Sequence, residues 1–140
     1  MKNRRDFLKR GAVLASAVVV SAPLMAKSKS EKSKKISFPG VIYTEEEQGK
    51  WDGKAGSHLP KVSVKGNKVT VLTQHGMSES HYIVRHTLVN EEGKMIGSKT
   101  FSGSDEKAES TFELPKDCKG KLYATSFCNK HDFWVKEFSV

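Results

Sequence analysis

The run His81-Tyr-Ile-Val-Arg-His-Thr-Leu-Val89 is the stretch that most clearly indicates the fold of this chain. β-Branched and aromatic residues dominate it, and the turn sequence Asn90-Glu-Glu-Gly93 follows directly, as is typical of a strand that ends in a turn. Shorter runs of the same kind lie on both sides, at residues 62–64, 69–72, 94–101, 110–114, 120–127 and 133–138. Gly66-Asn67 separates the first two of these runs and predicts a hairpin turn.

About seven short strands, frequent turns and no convincing amphipathic helix predict an all-β fold, an immunoglobulin-like antiparallel β-sandwich. We assign residues 36–140 to this domain, because roughly 105 residues suffice for one sandwich core. Residues 36–51 are predicted to be an irregular lead-in with room for one helical turn, and a turn-rich loop at residues 52–57 follows.

Residues 1–26 have the three-part layout of an export signal, which is a basic section, an apolar section and then small residues. The basic section, Asn3-Arg4-Arg5-Asp6-Phe7-Leu8-Lys9, closely matches the twin-arginine export motif. The apolar section is shorter than the ~20 residues that a membrane span needs. We therefore predict export by the twin-arginine pathway and a periplasmic protein. The bulky residues in Leu24-Met25-Ala26 leave open an uncleaved signal that tethers the protein to the membrane.

The formal net charge of +8 belongs to the front of the chain. Residues 1–26 carry five Lys/Arg and one Asp, and residues 27–35 carry five Lys and one Glu. Residues 36–140 carry 14 basic and 14 acidic side chains, so the predicted domain is neutral. A high pI therefore gives no reason here to expect nucleic acid as a partner. Residues 27–35 are predicted to be a solvated Lys/Ser-rich linker.

The first candidate for chemistry is Cys128-Asn-Lys-His131, which follows a strand-like run. A thiol and an imidazole three positions apart can reach a single ion. The other cysteine, Cys118, lies in the polar turn Pro115-Lys-Asp-Cys-Lys-Gly120. Two cysteines in an exported protein can also form a disulfide, and this alternative stays open. The histidine beside Cys128 favours metal binding.

Three further histidines, His58, His75 and His81, lie beside turns or loops, where a sandwich gathers ligands from distant parts of the chain. Together with Cys128 and His131 they offer four imidazoles and one thiolate. This set suits iron, copper or zinc, and the thiolate favours the softer of these metals. Structural zinc is satisfied by four ligands, whereas five ligands leave an octahedral metal one open position. We therefore predict a reactive iron centre with these five residues as ligands.

Neighbouring residues are expected to have other roles. His86 follows His81 by five positions and so points to the opposite face of the same strand. We expect it to be an ordinary exposed or hydrogen-bonded histidine. Met77 is expected to pack near the site rather than bind the metal. Phe133 and Trp134 are predicted to form a hydrophobic wall that shields one side of the metal.

Three motifs in this order resemble those of the superoxide reductase family, which includes desulfoferrodoxin and neelaredoxin. They are His58-Leu-Pro, His75-x-Met-x-x-x-His81-Tyr-Ile and Cys128-Asn-x-His131. The resemblance covers about residues 40–140 and lacks a rubredoxin-like domain, so it is to the single-iron forms. It implies an immunoglobulin-like sandwich with one iron per chain. It also implies four equatorial histidines, His58, His75, His81 and His131, and Cys128 as the axial ligand.

The resemblance further implies an oxidoreductase that reduces superoxide to hydrogen peroxide. One electron would pass from Fe(II) to superoxide at the open position opposite Cys128, and protonation would give the peroxide. The thiolate would push electron density toward that position, as thiolate does in haem enzymes. Superoxide is then the substrate, and an external electron donor such as a small redox protein must reduce the iron again. Homo-oligomer formation is left open.

The chain departs from the family pattern directly before the first histidine. The family usually carries Glu-Lys there, where this chain has Gly56-Ser57. In the family the glutamate caps the oxidised iron and the lysine attracts superoxide. Lys54 or Lys50 is the candidate to replace this cation, because local positive potential speeds the capture of an anion. The alternative interpretation is a non-catalytic iron-binding redox carrier or sensor on the same scaffold.

Overall fold

A computed structural model describes residues 36–140 of the chain. The predicted export signal at residues 1–26 and the predicted linker at residues 27–35 lie outside the described residues. Eight strands make up nearly half of the described part: β1 Ile42–Tyr43, β2 Lys61–Lys65, β3 Lys68–Thr73, β4 Ile83–Asn90, β5 Met95–Thr100, β6 Ala108–Glu113, β7 Lys121–Cys128 and β8 Asp132–Ser139. A 3-10 turn at Gly49–Trp51 and a one-turn helix, α1 at Ala55–His58, precede β2.

The strands form two sheets, as the predicted all-β sandwich requires. The first sheet has the order β1-β8-β7-β4-β5, and the second has the order β2-β3-β6. Strand β1 was not predicted, because a run of two residues shows no alternation. It pairs in parallel with β8, through Ile42 with Phe133 and Tyr43 with Trp134. The sandwich therefore has eight strands rather than about seven, and one of its strand pairs is not antiparallel.

Local turn chemistry explains two short features near the sheets. The Gly66-Asn67 turn joins β2 to β3 as predicted, and Gly66 adopts a φ of 58°, which glycine tolerates without steric cost. The 3-10 turn at Gly49–Trp51 lies at the end of the lead-in, residues 36–51, in which one helical turn was expected without a defined position. Helix α1 was not predicted, because four residues are too few to show a helical period.

The main core lies between the two sheets. It is built from alternating inward-facing residues: Val69 and Val71 of β3, Leu88 of β4, Phe112 of β6, and Leu122 and Ala124 of β7. A second buried cluster contains Ile83, Phe101, Ala108 and Cys128. Because Cys128 belongs to this second cluster, the thiol is anchored by the hydrophobic core at the end of β7.

His86 is fully buried between the sheets, so the expectation that it could be exposed is wrong. Its Nε2 lies 2.9 Å from Thr73 Oγ1, and its Nδ1 lies 2.9 Å from Ser110 Oγ. Thr73 Oγ1 in turn donates to Ser126 Oγ at 2.9 Å. The expectation of a hydrogen-bonded histidine is correct. Burial, and after it the charge of Lys99, lowers the pKa of His86 to about 4, so the ring is neutral at pH 7.

Within residues 36–140, the helical segments are too short and too polar to cross a membrane.

Candidate metal centre

The five predicted donors lie close together at one end of the sandwich, where β3 and β7 end and β4 and β8 begin. His58 is the last residue of α1, His75 follows β3, and His81 precedes β4. Cys128 ends β7, and His131 immediately precedes β8. Each side chain offers one donor atom, and the five donor atoms lie within 4.8 Å of one another. The structure thus brings together all five residues that the sequence analysis selected.

The four imidazole rings are arranged as a square. The ring centroids of neighbours are 4.6 Å apart for His58 and His75, 4.5 Å for His75 and His81, 4.7 Å for His81 and His131, and 4.6 Å for His131 and His58. The centroids of His58 and His81 are 6.3 Å apart, so these two rings occupy opposite corners. His75 and His131 therefore occupy the other two corners.

Three pairs of neighbouring donor nitrogen atoms lie at the distance from each other that binding to one central ion would require. Nδ1 of His131 lies 2.9 Å from Nε2 of His58 and 3.0 Å from Nε2 of His81. Nε2 of His75 lies 3.1 Å from Nε2 of His81. Neighbouring ligands of an octahedral ion lie about 3 Å apart when the metal–nitrogen bonds are about 2.1 Å long. The nitrogen lone pairs therefore fit a single metal ion between them.

The sulfur of Cys128 lies close to two corners of the square. Its Sγ lies 3.5 Å from Nδ1 of His131 and 3.8 Å from Nε2 of His75. Because these nitrogen atoms are at opposite corners, an atom at similar distances from both lies on the plane midway between them, and this plane contains the axis of the square. Cys128 is only 1% exposed, so the sulfur side of the square is closed by protein.

Backbone carbonyl groups set the tautomers of two of the histidines. Nδ1 of His58 lies 3.2 Å from the carbonyl oxygen of Lys54 and 2.8 Å from Oγ of Ser57. Nδ1 of His75 contacts the carbonyl oxygen of Gly76. A carbonyl oxygen only accepts hydrogen bonds, so each Nδ1 carries the proton and each Nε2 keeps a free lone pair. Such outer contacts orient the ring that binds a metal.

Burial lowers the pKa of all four histidines, and it is the largest cause in each case. The pKa of His58 falls to about 4, with the charge on His75 as the second cause. The pKa of His75 is also lowered. The positive charges of Lys130 and Lys54 further lower the pKa of His81, and those of His81 and Lys54 further lower that of His131. The rings are therefore neutral at pH 7, which is the form that binds metals.

Two tryptophans contact the histidine square, and only one of them was predicted to do so. The ring of Trp134 lies 5.8 Å from that of His58, and its Nε1 donates to the carbonyl oxygen of His131 at 2.9 Å. Trp51 contacts the ring of His131 edge-on, with centroids 4.6 Å apart. Phe133 is 37% exposed and stacks on Phe127. The prediction that Phe133 shields the metal is wrong, because neighbouring residues of β8 point to opposite faces.

Asn129 connects the Cys128 turn to the segment that carries His81. The backbone N–H of Asn129 donates to the carbonyl oxygen of Tyr82 at 3.2 Å, and Tyr82 N–H donates to Oδ1 of Asn129 at 3.1 Å. Its Nδ2 donates to the carbonyl oxygen of Ser80 at 3.1 Å. These three hydrogen bonds hold the turn that contains Cys128 and His131 beside the segment that contains His81.

The face of the square opposite Cys128 is open. It forms the floor of a depression of about 390 Å³ lined by Lys54, Ser57, His58, His75, Gly76, Met77, Ser78, His81 and His131. Of the two candidate cations, Lys54 lines this depression. Lys50 instead forms an ion pair with Asp132, with Nζ 3.0 Å from Oδ2. Met77 also packs against the second core cluster, as expected.

The disulfide alternative is not formed, because Cys118 and Cys128 are both free. Cys118 is half-buried and packs against the main core. Ser57, at the position where the resemblance implies a lysine, lines the depression without a charge, and its Oγ lies 2.8 Å from Nδ1 of His58. Trp51, Asp132 and Asn129 were not selected from the sequence. Trp51 carried a signal that could have been used, since a lone tryptophan in a turn-rich segment needs a surface to pack against.

Fold and site together define a class of protein: a two-sheet β-sandwich with a candidate centre for one metal ion made of four histidines and one cysteine. The desulfoferrodoxin family model matches residues 49–137. A variant of the superoxide reductase (neelaredoxin) from Ignicoccus hospitalis is 30% identical with a TM-score of 0.59, and the match covers 76% of this chain and 98% of that one. No curated protein matches the chain.

Two other solved structures are similar. The superoxide reductase from Treponema pallidum is 30% identical with a TM-score of 0.50, over 61% of this chain and 69% of that one. The superoxide reductase (1Fe-SOR) from Giardia intestinalis shares the fold, at 23% identity and a TM-score of 0.55, over 60% of this chain and 98% of that one. The chain belongs to the desulfoferrodoxin family, which is the superoxide reductase family. This family binds iron, and the five side chains described above can hold a metal.

Proposed function

We propose that this chain is a superoxide reductase that reduces superoxide to hydrogen peroxide at one iron ion. The observation that carries the proposal is the arrangement of the donors, with four nitrogen atoms in a square, a sulfur atom behind it and an open depression in front. Imidazole and thiolate together suit iron, and the fifth donor exceeds the four that satisfy a structural zinc ion. When bound, iron supplies a one-electron Fe(II)/Fe(III) couple.

The proposed ligands are the five converging residues: His58, His75, His81, His131 and Cys128. The reaction consumes one electron and two protons for each superoxide and releases one hydrogen peroxide. Because each turnover consumes one electron, a donor outside the site must supply it. We assign that role to a small redox protein.

Lys54 is the proposed cation that draws superoxide to the site. Its side chain is exposed and lines the depression, and its positive charge lowers the pKa of both His81 and His131. Its backbone is held in place, because its carbonyl oxygen accepts hydrogen bonds from the N–H groups of Ser57 and His58, each at 3.1 Å. A positive charge beside the open position raises the rate at which an anion is captured, and the ammonium group is also a proton donor.

The experiment that tests this function measures peroxide formed per superoxide consumed by the purified, iron-loaded protein with an excess of reductant. A reductase yields one peroxide per superoxide, whereas dismutation yields one peroxide for every two. Cys128→Ala should lose the activity. Cys118→Ala is the matched control, because it removes the other cysteine of the chain at a site away from the histidines, and it should keep the activity.

A second candidate function is a non-catalytic iron-binding redox carrier or sensor on the same scaffold. It is favoured by Gly56, which offers no side chain to cap the iron, and by Ser57, whose hydroxyl group is bonded to His58. Iron that binds and cycles between its two oxidation states without turning over superoxide would support this function and overturn the reductase.

We further propose that the protein works in the periplasm after twin-arginine export. The proposal rests on Arg4-Arg5 and the Phe7-Leu8-Lys9 that follows after one residue. Replacing both arginines with lysine should retain the protein in the cytoplasm, as cell fractionation would detect. Unchanged export of this variant would contradict the proposal.

A further inference from the structure

Among the four histidines of the square, His131 is held in a different way. It presents Nδ1 to the centre, whereas His58, His75 and His81 present Nε2. Backbone carbonyl oxygens hold the outer nitrogen of His58 and of His75. No hydrogen bond within residues 36–140 reaches the outer nitrogen of His131. A rotation of this ring about its Cβ–Cγ bond would replace Nδ1 with a carbon atom, so another contact must fix the ring.

Trp51 makes the contact that restricts this rotation. Its indole ring meets the imidazole of His131 edge-on, at an angle of 85° and a centroid distance of 4.6 Å. Aromatic pairs prefer this perpendicular arrangement, and the contact stabilises one orientation of both rings. The ring of His131 is thus bordered by Trp51 and by its two neighbours in the square, His58 and His81.

Asp132 in turn fixes the position of Trp51. Nε1 of Trp51 donates to Oδ2 of Asp132 at 3.0 Å, across 81 positions of the sequence. Asp132 has a φ of 62°, in the left-handed region that residues other than glycine rarely occupy. Such conformations persist where the surrounding structure requires them. Here the conformation occurs at the first residue of β8, directly after His131 and the tight turn that follows β7.

Lys50 also contacts the carboxylate of Asp132 and offsets its negative charge. Its Nζ lies 3.0 Å from the same Oδ2 of Asp132 and 4.8 Å from the centre of the Trp51 ring. The carboxylate oxygen that accepts from the indole N–H is therefore held from two sides, by Trp51 and by Lys50.

We infer that Trp51 is a positioning residue for the metal centre, which holds Nδ1 of His131 at its corner of the square while Asp132 holds the indole. The inference rests on the metal site of the proposed function but does not depend on the reaction with superoxide. It predicts that changes at Trp51 alter how tightly and in what geometry the metal is bound. A residue that only fills space would affect stability alone.

The test uses the full chain loaded with Fe(II), with the rate of iron release to a chelator as the first readout. The second readout is the spectrum of the oxidised protein, in which absorption from sulfur to Fe(III) reports the geometry of the ion. We expect Trp51→Leu to release iron about 10-fold faster or more, as is common when an outer contact of a ligand is lost, and to shift the absorption band. Asp132→Asn keeps an acceptor for the indole N–H, so this variant should have a rate of iron release and an absorption spectrum close to those of the unchanged protein.

Val69→Ala is the matched control, because Val69 is fully buried in the main core and is neither one of the five donors nor one of the contacts among Trp51, Asp132 and Lys50. It should lower the melting temperature without changing the release rate or the spectrum. The inference is overturned if Trp51→Leu behaves like Val69→Ala, or if Asp132→Asn changes the centre as strongly as Trp51→Leu. An unchanged protein that binds iron but does not reduce superoxide would overturn only the proposed function. A chain that binds no iron would overturn both.

Discussion

Individual side chains determine the charge around the open face of the histidine square. The four imidazoles are neutral at pH 7 because burial lowers the pKa of each of them. The positive charge near the open face therefore comes from lysines, and Lys54 lines the depression itself. An exposed amine at this position can attract an anion without binding to the metal.

Replacing Lys54 with methionine should slow the capture of superoxide about 10-fold at low ionic strength, because the positive potential beside the open position would be reduced. The second-order rate constant after a pulse of superoxide would measure this effect. Its dependence on salt should also become weaker, since added ions screen the same charge.

Lys68→Met provides the control for Lys54→Met. Lys68 lies at the start of β3 and pairs with Glu113, away from the depression. Removing its charge should leave both the rate and its salt dependence unchanged. Equal rates for the unchanged protein and Lys54→Met at low ionic strength would contradict the role of Lys54.

At the residue scale, the sequence revealed the donors but not the residues that position them. Histidine and cysteine are few in this chain, and their chemistry alone marks them as candidates. Trp51 and Asp132 belong to residue types that often have only a structural role, and their contact joins positions 81 residues apart. Such a contact depends on how the segment before β2 folds against the turn before β8, which no local pattern reports. Phe133 and Trp134 show the same limit, because only the pairing of β8 decides which of two adjacent aromatic residues faces inward.

Among the structural elements, the loop between His75 and His81 packs closely against Gly103. Gly103 is buried beneath this loop, where a Cβ atom would lie 2.5 Å from the carbonyl oxygen of Ser78 and 2.6 Å from Cα of Glu79. Backbone atoms cannot move aside as the end of a side chain can. The loop is also closed by the bridge between Ser78 and His81.

Gly103→Ala should therefore displace the loop and weaken iron binding. We expect a loss of about 1–3 kcal/mol in the free energy of unfolding, which is typical of an overpacked site, together with faster iron release. Gly76→Ala is the control in the same loop, because a Cβ atom there would meet nothing within 4 Å. Iron release at the same rate from the Gly103→Ala variant and the unchanged protein would contradict this account of the loop.

At the scale of the whole molecule, a buried polar network connects the two sheets. His86 of β4 and Ser126 of β7 belong to the five-stranded sheet, and Thr73 of β3 and Ser110 of β6 belong to the three-stranded sheet. Hydrogen bonds of 2.9 Å connect these residues across the interface. A protonated His86 would be a buried positive charge without an acidic partner in this network. The network is therefore stable only while the ring is neutral.

This network predicts a loss of stability in acid. The pKa of His86 is about 4 in the folded protein, compared with an ordinary value of 6.5. The unfolded chain therefore binds a proton first, and the stabilisation present above pH 6.5 is lost as the pH falls toward 4. His86 should account for about 2 kcal/mol of the decrease in the free energy of unfolding between about pH 7 and about pH 5.

Comparing the unchanged protein with His86→Gln isolates this contribution. Denaturant unfolding at a series of pH values should give a flatter pH dependence for the variant, whatever its stability at pH 7. The four histidines of the metal centre are present in both proteins and contribute equally. Parallel pH profiles for the two proteins would show that His86 is not responsible.

The overall fold was predictable to the level of two sheets of short strands, because strand runs and turn residues alternate along residues 61–139. Strand β1 and helix α1 were not predictable, since each is short and is stabilised by distant contacts. Tyr43 of β1 packs against Trp134 of β8, with ring centroids 5.6 Å apart. The burial of His86 also depends on the whole molecule, because it follows from the way the second sheet covers β4.

We propose that five side chains bind one iron ion together, those of His58, His75, His81, His131 and Cys128. X-ray absorption at the iron edge of the purified protein, with a matched iron determination per chain, tests this binding. We expect one iron per chain, with four nitrogen neighbours and one sulfur neighbour that disappears in Cys128→Ala. An iron without a sulfur neighbour, or a sulfur neighbour that survives this substitution, would contradict it.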